Sequence, residues 1–187
     1  MSDSQPEAGV QTAPQAARRG LVLVGFMGAG KTSVGRALSR RLNWPFEDLD
    51  DRIEARERLS VSQLFEAYGE LGFRERETAA LREVCAELAQ SSRVVALGGG
   101  AFVQPGNAKL IDSLKVPSVF LDAPIDELLR RCRQENRIRP LCRDEEHFRG
   151  LYDVRLTAYQ GAAYRIDTYS RDIEEIAREV ACKLGLG

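Results

Sequence analysis

Residues 25–32 read Gly25-Phe26-Met27-Gly28-Ala29-Gly30-Lys31-Thr32, which is the G-x-x-x-x-G-K-[ST] pattern of a phosphate-binding loop. Its glycines allow successive backbone N–H groups to converge on an anion. Lys31 adds a positive charge for the terminal phosphates, and the hydroxyl of Thr32 is a ligand for magnesium. The loop therefore predicts a bound nucleoside triphosphate. Its expected binding residues are Gly28, Ala29, Gly30, Lys31, Thr32 and Ser33.

The segments on either side of this loop predict a strand and a helix. Before it, residues 20–24 form a short apolar run of the kind found in buried parallel strands. After it, Val34, Leu38 and Leu42 recur at helical spacing. A helix that begins beside Lys31 directs the positive end of its dipole toward bound phosphates. The order strand, loop, helix supports the phosphate-binding interpretation.

The overall composition narrows the choice of partners. The chain has 187 residues, enough for one domain with a sizeable core. It carries 27 basic and 28 acidic side chains, so no net field favours nucleic acid or an anionic membrane surface. No stretch approaches the length of a membrane span. We therefore expect neither a nucleic-acid partner nor a membrane partner.

Two further features bear on order and location. The first 19 residues are rich in Gln, Ala, Ser and Pro and lack the apolar centre of a secretory signal, which predicts a disordered tail over residues 1–19. The four cysteines have no C-x-x-C spacing and only one histidine accompanies them. Neither a metal cluster nor a disulfide framework is expected, and all four are interpreted as small packing residues or surface thiols. This pattern favours a reducing cytoplasm.

Strand and helix patterns alternate along the chain. Strands are predicted at 20–24, 44–50, 93–97, 118–121 and 164–167. Beyond the loop and its helix, further helices are predicted at 51–58, 61–68, 73–90, 105–115, 124–134, 148–160 and 172–184. This alternation predicts an α/β fold in three layers, with helices on both faces of a central five-stranded parallel sheet. The charged stretch 135–147 lacks apolar periodicity and predicts a mobile loop.

Polar and glycine motifs follow the predicted strands. Asp48 and Asp50 end the second strand, and Gly98-Gly99-Gly100 follows the third. Ligands gather at the carboxyl ends of parallel strands, so these motifs are candidate site residues. A helix cap would explain one aspartate, and the second favours a magnesium or substrate role. The glycines could form a simple turn, but their place after a buried strand favours a functional role.

Taken in order, the motifs resemble those of the shikimate kinase family, a nucleoside-monophosphate-kinase-like branch of P-loop proteins. They are the P-loop, Asp48-x-Asp50, Gly72-Phe73-Arg74, Gly98-Gly99-Gly100, Arg139-Pro140-Leu141, and Arg155 with Tyr159 four residues on. The resemblance covers residues 20–184 and implies a P-loop kinase with a mobile lid. It also implies one such domain over residues 20–187, with substrate-binding helices at about 50–80 and the lid at about 135–147.

The resemblance implies ATP-dependent phosphorylation of the 3-hydroxyl of shikimate, a cyclic polyol that carries one carboxylate. Arg74 and Arg155 would hold the carboxylate, which suits the paired donors of a guanidinium. Asp50 would orient or partly deprotonate the attacking hydroxyl. Gly99 and Gly100 would let the backbone approach the ring. Arg74 could equally form an ordinary ion pair with Glu77 at i+3, and that pairing would also orient its guanidinium.

The resemblance further implies ATP and Mg²⁺, with Thr32 as a direct ligand of the metal and Asp48 as a ligand through water. Lys31 and Arg139 of the lid would oppose the charge of the transferred phosphoryl group. Arg131 and Arg171 would contact adenine. Each of these two matches the family after a shift of one residue, and Ala158 stands where the family has proline. The catalytic residues implied are Lys31, Asp50 and Arg139.

Two other functions remain open on the sequence. A gluconate kinase or nucleoside-monophosphate kinase would share the P-loop and the lid, but it would not be expected to combine the aspartate, glycine and Arg-Pro-Leu motifs. A non-catalytic sensor domain of a regulator would be expected to have lost a charged catalytic position, whereas Lys31, Asp50 and Arg139 are all present. Family resemblance favours a monomer.

Overall fold

A computed structural model describes residues 20–134 and 144–186 of the chain. Within these ranges one sheet contains β1 (Leu21–Val24), β2 (Phe46–Asp48), β3 (Val94–Ala96), β4 (Ser118–Asp122) and β5 (Tyr164–Asp167). All neighbouring strands are parallel, in the order β2-β3-β1-β4-β5. The predicted α/β architecture around a central five-stranded parallel sheet is confirmed.

The helices of the described ranges pack against this sheet and against each other. They are α1 (Lys31–Leu42), α2 (Leu49–Glu57), α3 (Val61–Leu88), α4 (Pro105–Ser113), α5 (Ile125–Gln134), α6 (Glu145–Gln160) and α7 (Ile173–Leu184). Helix α1 packs with α7, α3 packs with both α2 and α4, and α5 packs with α6. Helix α1 also lies across β1, β2 and β3, which ties the segment after the loop to the sheet.

The central strand positions the phosphate-binding loop. All four side chains of β1 are fully buried, as expected for a strand with a neighbour on either side and helices over both faces. Because β1 lies between β3 and β4, its carboxyl end opens at the middle of the sheet edge. In open parallel sheets that location is where ligands bind.

Helix α3 contains a kink, whose position the sequence pattern predicted only approximately. Helices were expected at 61–68 and 73–90, whereas α3 runs from Val61 to Leu88 with one non-helical residue, Gly69, at φ 65° and ψ −175°. Ser60 caps the first segment through a capping box with Gln63. The gap between the two expected helices is therefore a single glycine kink.

Helix α6 begins earlier than expected, which shortens the loop before it. Its start was predicted near 148, but Asp144 caps a helix that begins at Glu145, and the Asp144 carboxylate accepts a hydrogen bond from the His147 N–H at 3.0 Å. Residues 145–147, assigned to the lid from sequence, are thus helical. Residues 135–143, with Arg139, lie outside the described ranges.

Two other sequence-based expectations can be compared with the described residues. In the described ranges no helix is long and apolar enough to cross a membrane. Cys85 is a buried free thiol and Cys182 an exposed one, as interpreted, but Cys132 is disulfide-bonded, so the interpretation is wrong for Cys132. Cysteine usage consequently gives no support for a reducing compartment.

Candidate active site

The phosphate-binding loop connects the end of β1 to the first residue of α1. Gly30 precedes α1 in a left-handed conformation and adds no side-chain cap, so the first N–H groups of the helix point into the loop. The Lys31 ammonium donates to the carbonyl oxygens of Gly25 at 2.8 Å and Phe26 at 3.0 Å. These two bonds hold the positive charge over the loop.

Thr32 and Asp48 meet beside this loop. The Thr32 hydroxyl donates to Oδ2 of Asp48 at 2.9 Å, while Oδ1 of Asp48 accepts from the Asp50 N–H at 3.1 Å. Asp48 therefore caps α2 and also reaches the P-loop helix, so its capping role and a site role are compatible. A hydroxyl and a carboxylate oxygen are suitable ligands for Mg²⁺, which takes one or two protein groups with phosphate and water. The described residues contain no group of three or more metal-binding side chains, so a magnesium ion here would depend on nucleotide oxygens.

A cleft of about 610 Å³ opens beside the loop. Its lining residues are Gly28, Ala29, Gly30, Ser33, Val34, Glu127, Arg130, Arg131, Gln134, Thr168, Ser170, Arg171, Ile173 and Ile176. This set contains six of the residues predicted to bind the nucleotide, and the other two described ones, Lys31 and Thr32, follow Gly30 directly. The cleft is large enough for the base and ribose of a nucleotide.

Arg131 spans this cleft between the P-loop and the segment after β5. Its guanidinium donates to the Thr168 carbonyl at 2.8 Å and to Glu127 at 2.6 Å, and it lies 3.5 Å from the Gly28 carbonyl. Hydrogen bonds from Arg130, and then from Arg131, lower the pKa of Glu127 to about 2, so this carboxylate stays ionised as an anchor. The sequence analysis missed Glu127 and Thr168, although the i,i+4 spacing of Glu127 and Arg131 could have indicated the first.

Arg171 lies on the same cleft but makes different contacts. It donates to the Asp167 carbonyl at 2.9 Å and to Glu179 at 2.5 Å. Both arginines predicted from sequence to contact adenine therefore line one cavity, from opposite segments of the chain.

The predicted acceptor residues converge on Gly98, Gly99 and Gly100. The Asp50 Oδ1 atom lies 2.5 Å from the point where a Cβ of Gly98 would be. The Arg155 Nη1 atom lies 3.3 Å from the corresponding point at Gly99, and the Arg74 guanidinium occupies that point at Gly100. Any side chain at Gly100 would displace Arg74. Three consecutive glycines thus each leave space for a different predicted substrate residue.

A buried carboxylate, that of Glu77, holds the Arg74 guanidinium. Its Nη1 donates to Glu77 at 2.8 Å, and Glu77 is 1% exposed. Burial raises the pKa of Glu77 against the opposing effect of Arg74, and the nearby Asp50 charge raises it further. The Nε of Arg74 is buried and has no hydrogen-bond partner within the described residues. The ion pair expected from the i,i+3 spacing is present and aims the guanidinium at Gly100.

Aromatic rings form one wall of this acceptor site. Phe65 and Phe73 stack with their centroids 4.3 Å apart, and the Arg74 guanidinium lies 5.3 Å from the Phe73 centroid. On the other side, Arg155 lies 5.8 Å from the ring of Phe26, which belongs to the P-loop. Phe26 therefore links the nucleotide half and the acceptor half of the site, a role that the sequence analysis did not assign.

Comparisons with known proteins show which proteins this chain is similar to over most of its length. The shikimate kinase family model matches residues 27–184. The shikimate kinase of Geobacter sulfurreducens is 41% identical over 166 residues, covering 87% of this chain and 89% of that protein. The structure of shikimate kinase from Acinetobacter baumannii in complex with shikimate is 34% identical, covers 90% of this chain and 94% of that one, and has a TM-score of 0.81.

A more distant likeness concerns the fold alone. A gluconokinase structure from Sinorhizobium meliloti 1021 covers 90% of this chain and 92% of its own, with a TM-score of 0.60 at 20% identity. The fold alone therefore does not identify the acceptor, and residues of the site have to distinguish the candidates.

Proposed function

The chain belongs to the shikimate kinase family, and we propose that it transfers the γ-phosphoryl group of ATP to the 3-hydroxyl of shikimate, giving shikimate 3-phosphate and ADP. The observation that carries the proposal is the convergence of Asp50, Arg155 and Arg74 on three consecutive glycines beside the P-loop. Two guanidinium groups suit the single carboxylate of this substrate, and one carboxylate suits its hydroxyls.

We assign the acceptor residues from these contacts. Arg74, fixed by Glu77, and Arg155 hold the substrate carboxylate. Asp50 accepts a hydrogen bond from the attacking hydroxyl and directs its oxygen toward the γ-phosphorus. Gly99 and Gly100 let the ring lie against the backbone. Because phosphoryl transfer depends mainly on positioning and charge, a rigid acceptor site accounts for much of the catalysis.

The donor residues oppose the charge that develops on the transferred group. Lys31 and the N–H groups at the start of α1 bind the β- and γ-phosphates. Thr32 would hold Mg²⁺ directly and Asp48 would hold it through water, and the metal would supply charge that neutralises the phosphates. Arg131 and Arg171 contact the base. Arg139 is proposed as the third catalytic charge, and it lies outside the described residues.

Magnesium-dependent ADP release, with shikimate, gluconate and AMP offered separately, tests the proposed function. We expect turnover with shikimate and none above the ATP hydrolysis background with the other two. The product of the shikimate reaction should carry one phosphate, by mass spectrometry. Turnover with gluconate or AMP alone would contradict the assignment, and no turnover with any acceptor would favour the sensor alternative.

The expectations of a monomer in the cytoplasm, without nucleic-acid or membrane partners, stay predictions. The near balance of 27 basic and 28 acidic side chains supports the absence of a nucleic-acid partner. Size-exclusion chromatography with light scattering would test the monomer, and a dimer mass would contradict it. Fractionation of cells would test the location.

A further inference from the structure

The carbonyl groups of residues 98–101 accept hydrogen bonds from different kinds of donor. Backbone N–H groups of the following turns bond to the carbonyls of Gly98 at 3.1 Å, Gly100 at 3.2 Å and Ala101 at 3.4 Å. The Gly99 carbonyl instead accepts a hydrogen bond from the hydroxyl of Tyr159 on α6. Tyr159 therefore provides a bond that the local turns do not give to this residue.

Tyr159 is built rigidly into the core. It is fully buried, and its ring stacks on Phe120 of β4 with centroids 5.4 Å apart and an angle of 27°. Burial raises the pKa of Tyr159 to about 12, so the hydroxyl keeps its proton and remains a donor. A hydroxyl fixed in this way holds the Gly99 carbonyl in position relative to the sheet.

The same hydroxyl also meets Arg155, one helical turn earlier on α6. The charge of Arg155 favours the ionised form of Tyr159 and so acts against burial on its pKa. Both groups crowd Gly99, since Arg155 Nη1 lies 3.3 Å and Tyr159 Oη 3.7 Å from its Cβ position. The Tyr159 hydroxyl thus donates to the Gly99 carbonyl and lies beside the Arg155 guanidinium at the same glycine.

We propose that Tyr159 is a positioning residue for the acceptor half of the site, since its hydroxyl holds the Gly99 backbone and lies beside Arg155. The inference rests on the proposed function of Arg155 and Gly99 and adds a residue to which no role in the reaction has been assigned above. Tyr159 acts through these two residues, and it lies away from the P-loop cleft that binds the nucleotide.

Tyr159→Phe tests the proposal because it removes the hydroxyl and leaves the ring on Phe120. Loss of one buried hydrogen bond, with its acceptor left unsatisfied, changes an equilibrium roughly tenfold. We expect the KM for shikimate to rise by roughly that factor, while the KM for ATP changes less than about twofold. A purely structural role would move both constants together, or would lower only the melting temperature, and either result would overturn the proposal.

Tyr152→Phe is the matched control on the same helix. Burial, and then the charge of Asp122, raise the pKa of Tyr152. The Tyr152 hydroxyl is not one of the groups around Gly99, so its loss should leave the KM for shikimate unchanged. A rise equal to that of Tyr159→Phe would overturn the assignment of the effect to Gly99 and Arg155.

Calorimetric titration of nucleotide-free protein with shikimate gives a second measurement, on samples whose folding is verified by circular dichroism. In a double-mutant cycle with Arg155→Lys, the proposal expects Tyr159→Phe to weaken binding less in the Lys background than in the wild type. Independent effects would overturn the coupling through Arg155. If the wild-type protein itself neither binds nor phosphorylates shikimate, the proposed function fails rather than this inference.

Discussion

Asp50 lies where the two halves of the site meet. Its N–H donates to Asp48, the carboxylate that also receives the Thr32 hydroxyl, and its own carboxylate packs on Gly98. The backbone of Asp50 is thus tied to the nucleotide half, and its side chain faces the acceptor half. A change confined to its carboxylate should therefore affect the acceptor chemistry and spare the nucleotide.

Asp50→Asn should lower kcat at least roughly 100-fold, because an amide neither accepts a proton nor orients the hydroxyl as a carboxylate does. The KM for ATP should stay within about twofold of the wild-type value.

Lys31→Met should instead impair both ATP binding and turnover, since the ammonium interacts with ground-state and transition-state phosphates. Steady-state kinetics and ATP titration measure these effects.

Asp51→Asn is the control for the Asp50→Asn prediction. Asp51 is the next residue of α2 and is exposed, so the same chemical change there should leave kcat within about twofold of the wild type. Unchanged turnover in Asp50→Asn would remove Asp50 from the catalytic residues.

At the scale of single elements, the kink in α3 has a local cause. Gly69 adopts φ 65° and ψ −175°, a conformation that is essentially restricted to glycine. The kink separates the segment that carries Phe65 from the segment that carries Arg74 and Glu77. A Cβ at Gly69 would meet no atom within 4 Å, so a substitution there changes backbone energy without a clash.

Gly69→Ala should lower the free energy of unfolding by roughly 1–3 kcal/mol, the cost of holding alanine in this conformation. Gly150→Ala is the matched control, since Gly150 lies inside α6 and its Cβ would also meet nothing within 4 Å. There alanine should stabilise the protein by roughly 0.5–1 kcal/mol, because glycine is unfavourable inside a helix. Urea unfolding measures both changes, and an unaltered free energy for Gly69→Ala would mean that the backbone does not require glycine.

At the scale of the whole molecule, residues from distant parts of the chain share one edge of the sheet. The P-loop follows β1, Asp48 ends β2, the glycines follow β3, and Thr168 follows β5. A ligand bound at this edge contacts several elements together. Its binding free energy should therefore add to the stability of the entire domain.

Shikimate at about 100 times its dissociation constant should raise the free energy of unfolding by about 2.7 kcal/mol. For a domain of this size that corresponds to a rise in Tm of roughly 5–10 °C. Differential scanning fluorimetry over a concentration series measures it, with gluconate at the same concentrations as the control. An equal shift with both compounds would contradict a selective acceptor site.

Sequence patterns predicted local features well where the physical cause is itself local. The spacing of the P-loop, the alternation of apolar strands with helices, and the i,i+3 pair of Arg74 and Glu77 are each set by neighbouring residues. The start of α6 was placed too late because its first turn is charged and has little apolar periodicity. Thr168 and Tyr159 were not given roles because their partners, Arg131 and Gly99, lie on other elements.

The sequence by itself determined a parallel α/β fold, a phosphate-binding loop and the residue types of an acceptor site, because glycine spacing, apolar periodicity and charge are properties of short segments. Only the tertiary structure decided that β1 lies between β3 and β4, and that Gly98, Gly99 and Gly100 face Asp50, Arg155 and Arg74 in turn. The physical reason is that close approach depends on how separate helices pack over the sheet. The distances between residues on separate helices cannot be read from a short stretch of sequence.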